Sequence, residues 1–153
     1  MKITDFLSVQ TVIPCLASRD KSAVLHELAD GMAAHNPGLD QQKVLEVLVE
    51  RERISTTAIG EGVAIPHGKL PNIERVLGVF ARSLDGVDFA SLDGKPTYLF
   101  FMLIAPESAA ADHLKALARI SRLLKDEAFR RRLLAGKNSE ELYSLIAEED
   151  EKF

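Results

Sequence analysis

Imidazole is basic enough to titrate near neutral pH and neutral enough there to attack an electrophile, and the chain carries four: His26, His35, His67 and His113. Their settings differ. His26 lies one position off the apolar stripe of a helical segment and His35 sits in the frayed end before Asn36-Pro37, so both read as exposed residues without a task. His67 follows the strand-like run Val63-Ala64-Ile65 and is held between Pro66 and Gly68. Proline fixes φ ahead of the ring and glycine lets the backbone or a partner come close, which presents the imidazole at the end of a rigid strand. The same spacing equally suits a turn histidine with no role. His113 starts a helical segment and shares a face with Leu117, Ile120 and Leu124, where a histidine is more often a core-edge residue satisfied by a carbonyl. As a pair, one histidine could accept a group while the other donates a hydrogen bond to it.

A phosphoryl group on a histidine needs a cation beside it, and a planar guanidinium suits its oxygens. Arg51 and Arg53 close a helical segment, and one of the two could serve, although a cation there also complements the helix dipole. Lys69 is a weaker candidate that would act as a point charge. Other chemistries find little support. Gly60-Glu61-Gly62 is not continued into a dinucleotide fingerprint, and there is no phosphate-binding G-x-x-x-x-G-K-[ST] or G-x-S-x-G nucleophile elbow, so no cofactor is expected. Without H-E-x-x-H or closely spaced His and Cys, no metal is expected either.

These residues are positioned by an alternation of patterns. Val9 to Leu16, broken by Pro14, reads as a short strand at a sheet edge or start. Val24, Leu25, Leu28 and Met32 recur at helical spacing over 20–34, and Asn36-Pro37-Gly38 stops that helix. Asp40 can cap a second helix to about Arg53, with Leu39 and Val44 placed as a staple and Leu45 and Leu48 continuing the buried stripe. Residues 55–71, with three of the nine glycines and two of the six prolines, read as two short strands joined by tight turns. Two strand-length apolar runs follow at 75–84 and 97–105, the second apolar on both faces like a covered central strand, with Asp85-Gly86 and Asp93-Gly94 as turns. The last third is helical: one stripe of Leu114, Leu117, Ile120 and Leu124, a second of Phe129 and Leu133 ended by Gly136, and a third of Leu142, Leu145 and Ile146 behind Asn138-Ser139-Glu140-Glu141. The expected fold is α/β, a mixed β-sheet sandwiched between helices in three layers, as a single domain over 1–153.

Of the 153 residues, 46% are hydrophobic and 27% charged, an ordinary globular balance. A net charge of −4 disfavours nucleic acid, and Arg130-Arg131-Arg132, beside Asp126 and Glu127, reads as a solvated helix face. The single cysteine, Cys15, fits a reducing compartment. No apolar run approaches the ~20 residues of a membrane helix and no signal-peptide pattern opens the chain, so a cytoplasmic protein without membrane insertion is expected.

The segment Ser55 to Leu70, STTAIGEGVAIPHGKL, resembles the active-site segment of the fructose/mannitol/nitrogen-regulatory group of phosphotransferase-system enzymes IIA. LSVQTVIPCLASRDKSAVLHELA, GVDFASLDGKPTYLFFMLIAP and DHLKALARISRLL agree with it, so the likeness covers nearly the whole chain. The resemblance implies that His67 accepts a phosphoryl group from a histidine phosphocarrier protein, that Arg51 helps hold it, and that His113 lies beside it. Glu61 falls where members of the group vary. A solitary chain of this length looks more like the nitrogen-regulatory branch, whose phosphorylation state alters binding to regulatory target proteins, than like the enzyme IIA of a fructose/mannitol-type sugar transporter.

Overall fold

The computed structural model describes all 153 residues. Its organising element is the strand Thr97–Pro106, buried on both faces as its unbroken apolar run requires. Alternation along it sends Leu99, Phe101, Leu103 and Ala105 into one core and Phe100, Met102 and Ile104 into the other.

In chain order the strands are β1 (Val12–Ile13), β2 (Ala58–Gly60), β3 (Val63–Ala64), β4 (His67–Leu70), β5 (Leu77–Val87) and β6, the central strand. The helices are α1 (Lys21–Ala34), α2 (Gln41–Ile54), α3 (Ala110–Leu124), α4 (Glu127–Ala135) and α5 (Ser139–Asp150). The sheet runs β1-β5-β6-β3-β2, with β4 also on β6. It is mixed: β1/β5, β3/β6 and β4/β6 are parallel, β5/β6 and β2/β3 antiparallel. Helices α1 and α2 cover one face, and α3 to α5 with the N-terminal turns cover the other, giving the three-layer sandwich expected.

The capping residues act as their types predict. The Asp20 carboxylate accepts from the Ala23 amide, Asp40 from Gln42 and Lys43, and Asn138 from Glu141. Elsewhere the structure corrects the sequence reading. Val9–Thr11 forms a 3-10 turn, leaving only two residues of the first strand, which does lie at the sheet edge. Asp85-Gly86 is a bulge inside β5: the register slips between Arg82 and Val87, and Gly86 has φ +83 with Tyr98 and Pro96 2.9 Å from where a Cβ would stand. Leu114 is 69% exposed, and the buried face of α3 is His113, Ala116, Ile120, Leu123 and Leu124. The arginine run is not uniformly solvated, because Arg130 donates to the Leu124 and Lys125 carbonyls and so closes the end of α3.

Arg82, in the middle of β5, is buried for a similar reason. Its Nη1 donates to Leu133 O at 2.9 Å and Gly136 O at 2.6 Å, and its Nε to Pro14 O at 2.9 Å, so one guanidinium satisfies the C-terminal carbonyls of α4 and ties them to the start of the sheet. Arg82→Met should strand these acceptors and cost about 2 kcal/mol. The check is a urea titration, and an unchanged midpoint would show that the carbonyls find other partners.

Candidate functional site

His67 opens β4 rather than ending the preceding strand. Pro66 has no N–H to give, so β3 stops at Ala64 and pairing with β6 resumes at His67, opposite Leu103. The Pro66 carbonyl still accepts from the Leu103 amide at 2.9 Å, which holds the break against the sheet. Thus 55–71 contains three short strands instead of two.

The ring is oriented by its own backbone: Nδ1 donates to the Ile65 carbonyl at 2.8 Å. This bond places the proton on Nδ1 and leaves the Nε2 lone pair free. Burial of the ring is the main reason its pKa is lowered, with the Ile65 carbonyl opposing and the charge of Arg51 assisting. A neutral, half-buried imidazole with one free lone pair is a nucleophile.

His113, in the first turn of α3, is buried and faces it, with ring centroids 5.4 Å apart and planes at 79°. Neither of its nitrogens has a hydrogen-bond partner. A buried orphaned imidazole is costly, and it is repaid when an acceptor arrives. Burial first, then the His67 and Lys69 charges, push its pKa down to about 4. Since the unfolded chain titrates near 6.5, it binds more protons than the folded chain between the two values, and stability should fall as pH drops from about 6.5 to about 4. Urea midpoints across that window should decline less steeply in His113→Gln than in the parent; parallel declines would mean the ring is protonated without penalty.

Across the cleft, α2 contributes Val47, Glu50, Arg51 and Ile54, one face at helical spacing. Gly68 permits this approach, because a Cβ there would stand 2.9 Å from Val47 Cγ2. Arg51 donates to the Ser55 carbonyl at 2.9 Å, which fixes the guanidinium at the helix end. Arg53 is absent from the cleft and, exposed, pairs with Glu50 at 3.3 Å. The cleft encloses about 530 Å³ and is also lined by Lys69, Ala110, Leu114 and Leu117. His67, His113 and Arg51, which the resemblance expected at one site, converge here. Glu61 does not: it reaches toward Arg130 at 3.5 Å, away from the lining. His26 and His35 are exposed on and after α1. No group of three or more His, Cys, Asp or Glu could hold a metal ion, and no helix is long and apolar enough to cross a membrane.

Sequence reasoning missed Glu52. It is buried in the last turn of α2, beside Arg51 in sequence but turned inward, and it bonds Thr57 and Lys21. The signal was its spacing, since Leu45, Leu48 and Glu52 fall on one stripe.

The mixed α/β/α sandwich thus sets a free imidazole nitrogen, a second unpartnered imidazole and a guanidinium around one cleft. Residues 5–149 match the family described as "Phosphoenolpyruvate-dependent sugar phosphotransferase system, EIIA 2", and the chain belongs to that family. It is 48% identical over 147 residues to the "Nitrogen regulatory protein" of Bradyrhizobium diazoefficiens, covering 96% of this chain and 95% of that one. It is 39% identical over 150 residues to the "PTS system fructose-specific EIIABC component" of Bacillus subtilis, covering 98% of this chain but 24% of that much longer protein. The crystal structure of nitrogen regulatory protein IIA-Ntr from Neisseria meningitidis superposes with a TM-score of 0.88 at 28% identity, covering 94% of this chain and 98% of that one.

Proposed function

We propose that this chain, acting as one cytoplasmic domain, accepts a phosphoryl group on His67 from the phosphohistidine of a histidine phosphocarrier protein and regulates partner proteins through its phosphorylation state. The observation that carries the reading is the buried, unpartnered His113 ring against a His67 whose Nδ1 is already engaged. In the transfer, the Nε2 lone pair of His67 attacks phosphorus. The bond from phosphorus to the donor's ring nitrogen breaks, and its electron pair returns to the donor. The proton on Nδ1 stays in place, and the Ile65 carbonyl supports the positive charge the ring gains. Arg51 compensates the charge on the phosphoryl oxygens and the neutral His113 ring donates a hydrogen bond to one of them; such transfer asks little more of a protein than positioning and electrostatics. Exposed Ile54 and Leu114 flank the cleft on opposite sides and offer an apolar rim for the carrier to cover.

High identity to a full-length nitrogen regulatory protein favours the regulatory role. The likeness to a fructose-specific component supports a second reading, an enzyme IIA that hands its phosphoryl group to a sugar permease. Transfer from the phosphorylated chain to a fructose-type IIB domain, faster than its spontaneous hydrolysis, would favour that alternative.

The proposed use of His113 is tested by single-turnover transfer from the phosphorylated carrier. His113→Ala should slow acceptance by about 10- to 100-fold, the worth of a hydrogen bond to a charged group, whereas His113→Gln keeps a donor and should retain part of the rate. A well-folded His113→Ala that accepts at the parent rate would remove His113 from the mechanism.

A further inference from the structure

A carboxylate in the last turn of a helix opposes the helix dipole, and one that is buried there costs desolvation as well. Glu52 is both, and its partners all lie outside its own helix. It accepts from the Thr57 amide at 3.0 and 3.2 Å and from the Thr57 hydroxyl, and it pairs with Lys21 of α1 at 2.8 Å. Buried ion pairs bring little net stability, so what these bonds supply is direction.

The Ser55–Thr57 segment they hold contacts Arg51 directly and His67 through Ile65. Its Ser55 carbonyl receives the Arg51 guanidinium at 2.9 Å. Its Thr57 carbonyl accepts from the Ile65 amide at 3.1 Å, and the Ile65 carbonyl in turn receives Nδ1–H of His67 at 2.8 Å. Thr56 pins the same segment from the other side through its hydroxyl on the Phe89 carbonyl at 3.1 Å.

Resting on the phosphoryl-transfer reading above, we infer that Glu52 is a positioning residue: by clamping Thr57 it sets the aim of Arg51 and the tautomer and angle of His67 at once. Glu52 does not line the cleft. A displacement of about 1 Å at a reacting centre can cost about 100-fold in rate, so the loss of the clamp should be visible in transfer.

The test is single-turnover phosphoryl acceptance together with NMR of the His67 Nδ1–H and the Arg51 guanidinium in the unphosphorylated protein. Glu52→Gln and Thr57→Val should slow acceptance about 10- to 100-fold and shift or broaden both resonances, with Thr57→Ser, which keeps the hydroxyl, restoring rate and spectrum. Added to Arg51→Ala, Glu52→Gln should cost much less than it does alone, because part of its effect passes through that guanidinium. Parent rates and unmoved resonances in Glu52→Gln and Thr57→Val, or losses that multiply in full with Arg51→Ala, would overturn the inference. Should Glu52→Gln fail to fold, Thr57→Val and Thr57→Ser carry the same comparison. If the parent takes up no phosphoryl group, the transfer reading falls, and the resonances alone decide whether Glu52 positions the two side chains.

Discussion

Replacing His67 with alanine is expected to abolish phosphoryl uptake from a phosphorylated histidine carrier, while His26→Ala and His35→Ala leave it intact. The expectation follows from access and protonation together. His26 and His35 are exposed and lie outside the cleft that Arg51 lines. At His67 a backbone carbonyl holds the proton on Nδ1, burial keeps the ring neutral, and Nε2 is left with a free lone pair. The neighbouring His113 also lines the cleft, but both of its ring nitrogens are buried, so it is a poorer nucleophile than His67. The label should be acid-labile and base-stable, as a phosphoramidate is. Label persisting in His67→Ala would move the acceptor elsewhere.

The second large effect is expected at Arg51. Arg51→Ala should slow acceptance by about 10²- to 10³-fold, the range seen when one preorganised donor to a developing oxyanion is removed, and Arg53→Ala should be close to neutral. Both arginines close α2, so a contribution from the helix dipole alone would make them equivalent. The structure separates them. Residues two apart on a helix point about 200° apart, and Arg51 lines the cleft with its guanidinium anchored on Ser55, while Arg53 is 71% exposed beside Glu50. Single-turnover rates for the two variants decide the matter, and equal losses would mean that no specific guanidinium is aimed at the site.

Much of this geometry was legible in the chain. The layers followed from periodicity: the two-faced apolar run of β6, the helical stripes of α1 and α2, and aspartate or asparagine caps where the helices begin. His67 stood out by its Pro-His-Gly setting, and the family segment around it drew Arg51 and His113 into one site. What the sequence hid were polar groups whose partners are distant in the chain. Glu52, between two arginines, reads as a solvated helix end although its spacing sets it on the Leu45 and Leu48 stripe, and the approach of Thr57 and Lys21 explains how its charge is satisfied there. Arg82 looks like an intrusion in a strand until α4 brings its terminal carbonyls over the sheet. The Asp85-Gly86 pair carries the composition of a turn, and only the ladder with β6 distinguishes a bulge from a chain reversal. Leu114 fits the helical stripe by spacing but faces the cleft, where the helix starts beyond the edge of the core.

The central claim is that one phosphoryl group resides on one nitrogen of one histidine. It is tested most directly by incubating the ¹⁵N-labelled chain with phosphoenolpyruvate and a reconstituted carrier relay, confirming a single added phosphoryl group by intact mass, and then identifying the phosphorus-bound nitrogen by NMR. The expected result is stoichiometric phosphorylation at Nε2 of His67, with Nδ1 still protonated toward the Ile65 carbonyl. Phosphorus bonded to Nδ1, phosphorus on any other residue, or a chain that stays unmodified while the relay phosphorylates a known acceptor would contradict the account.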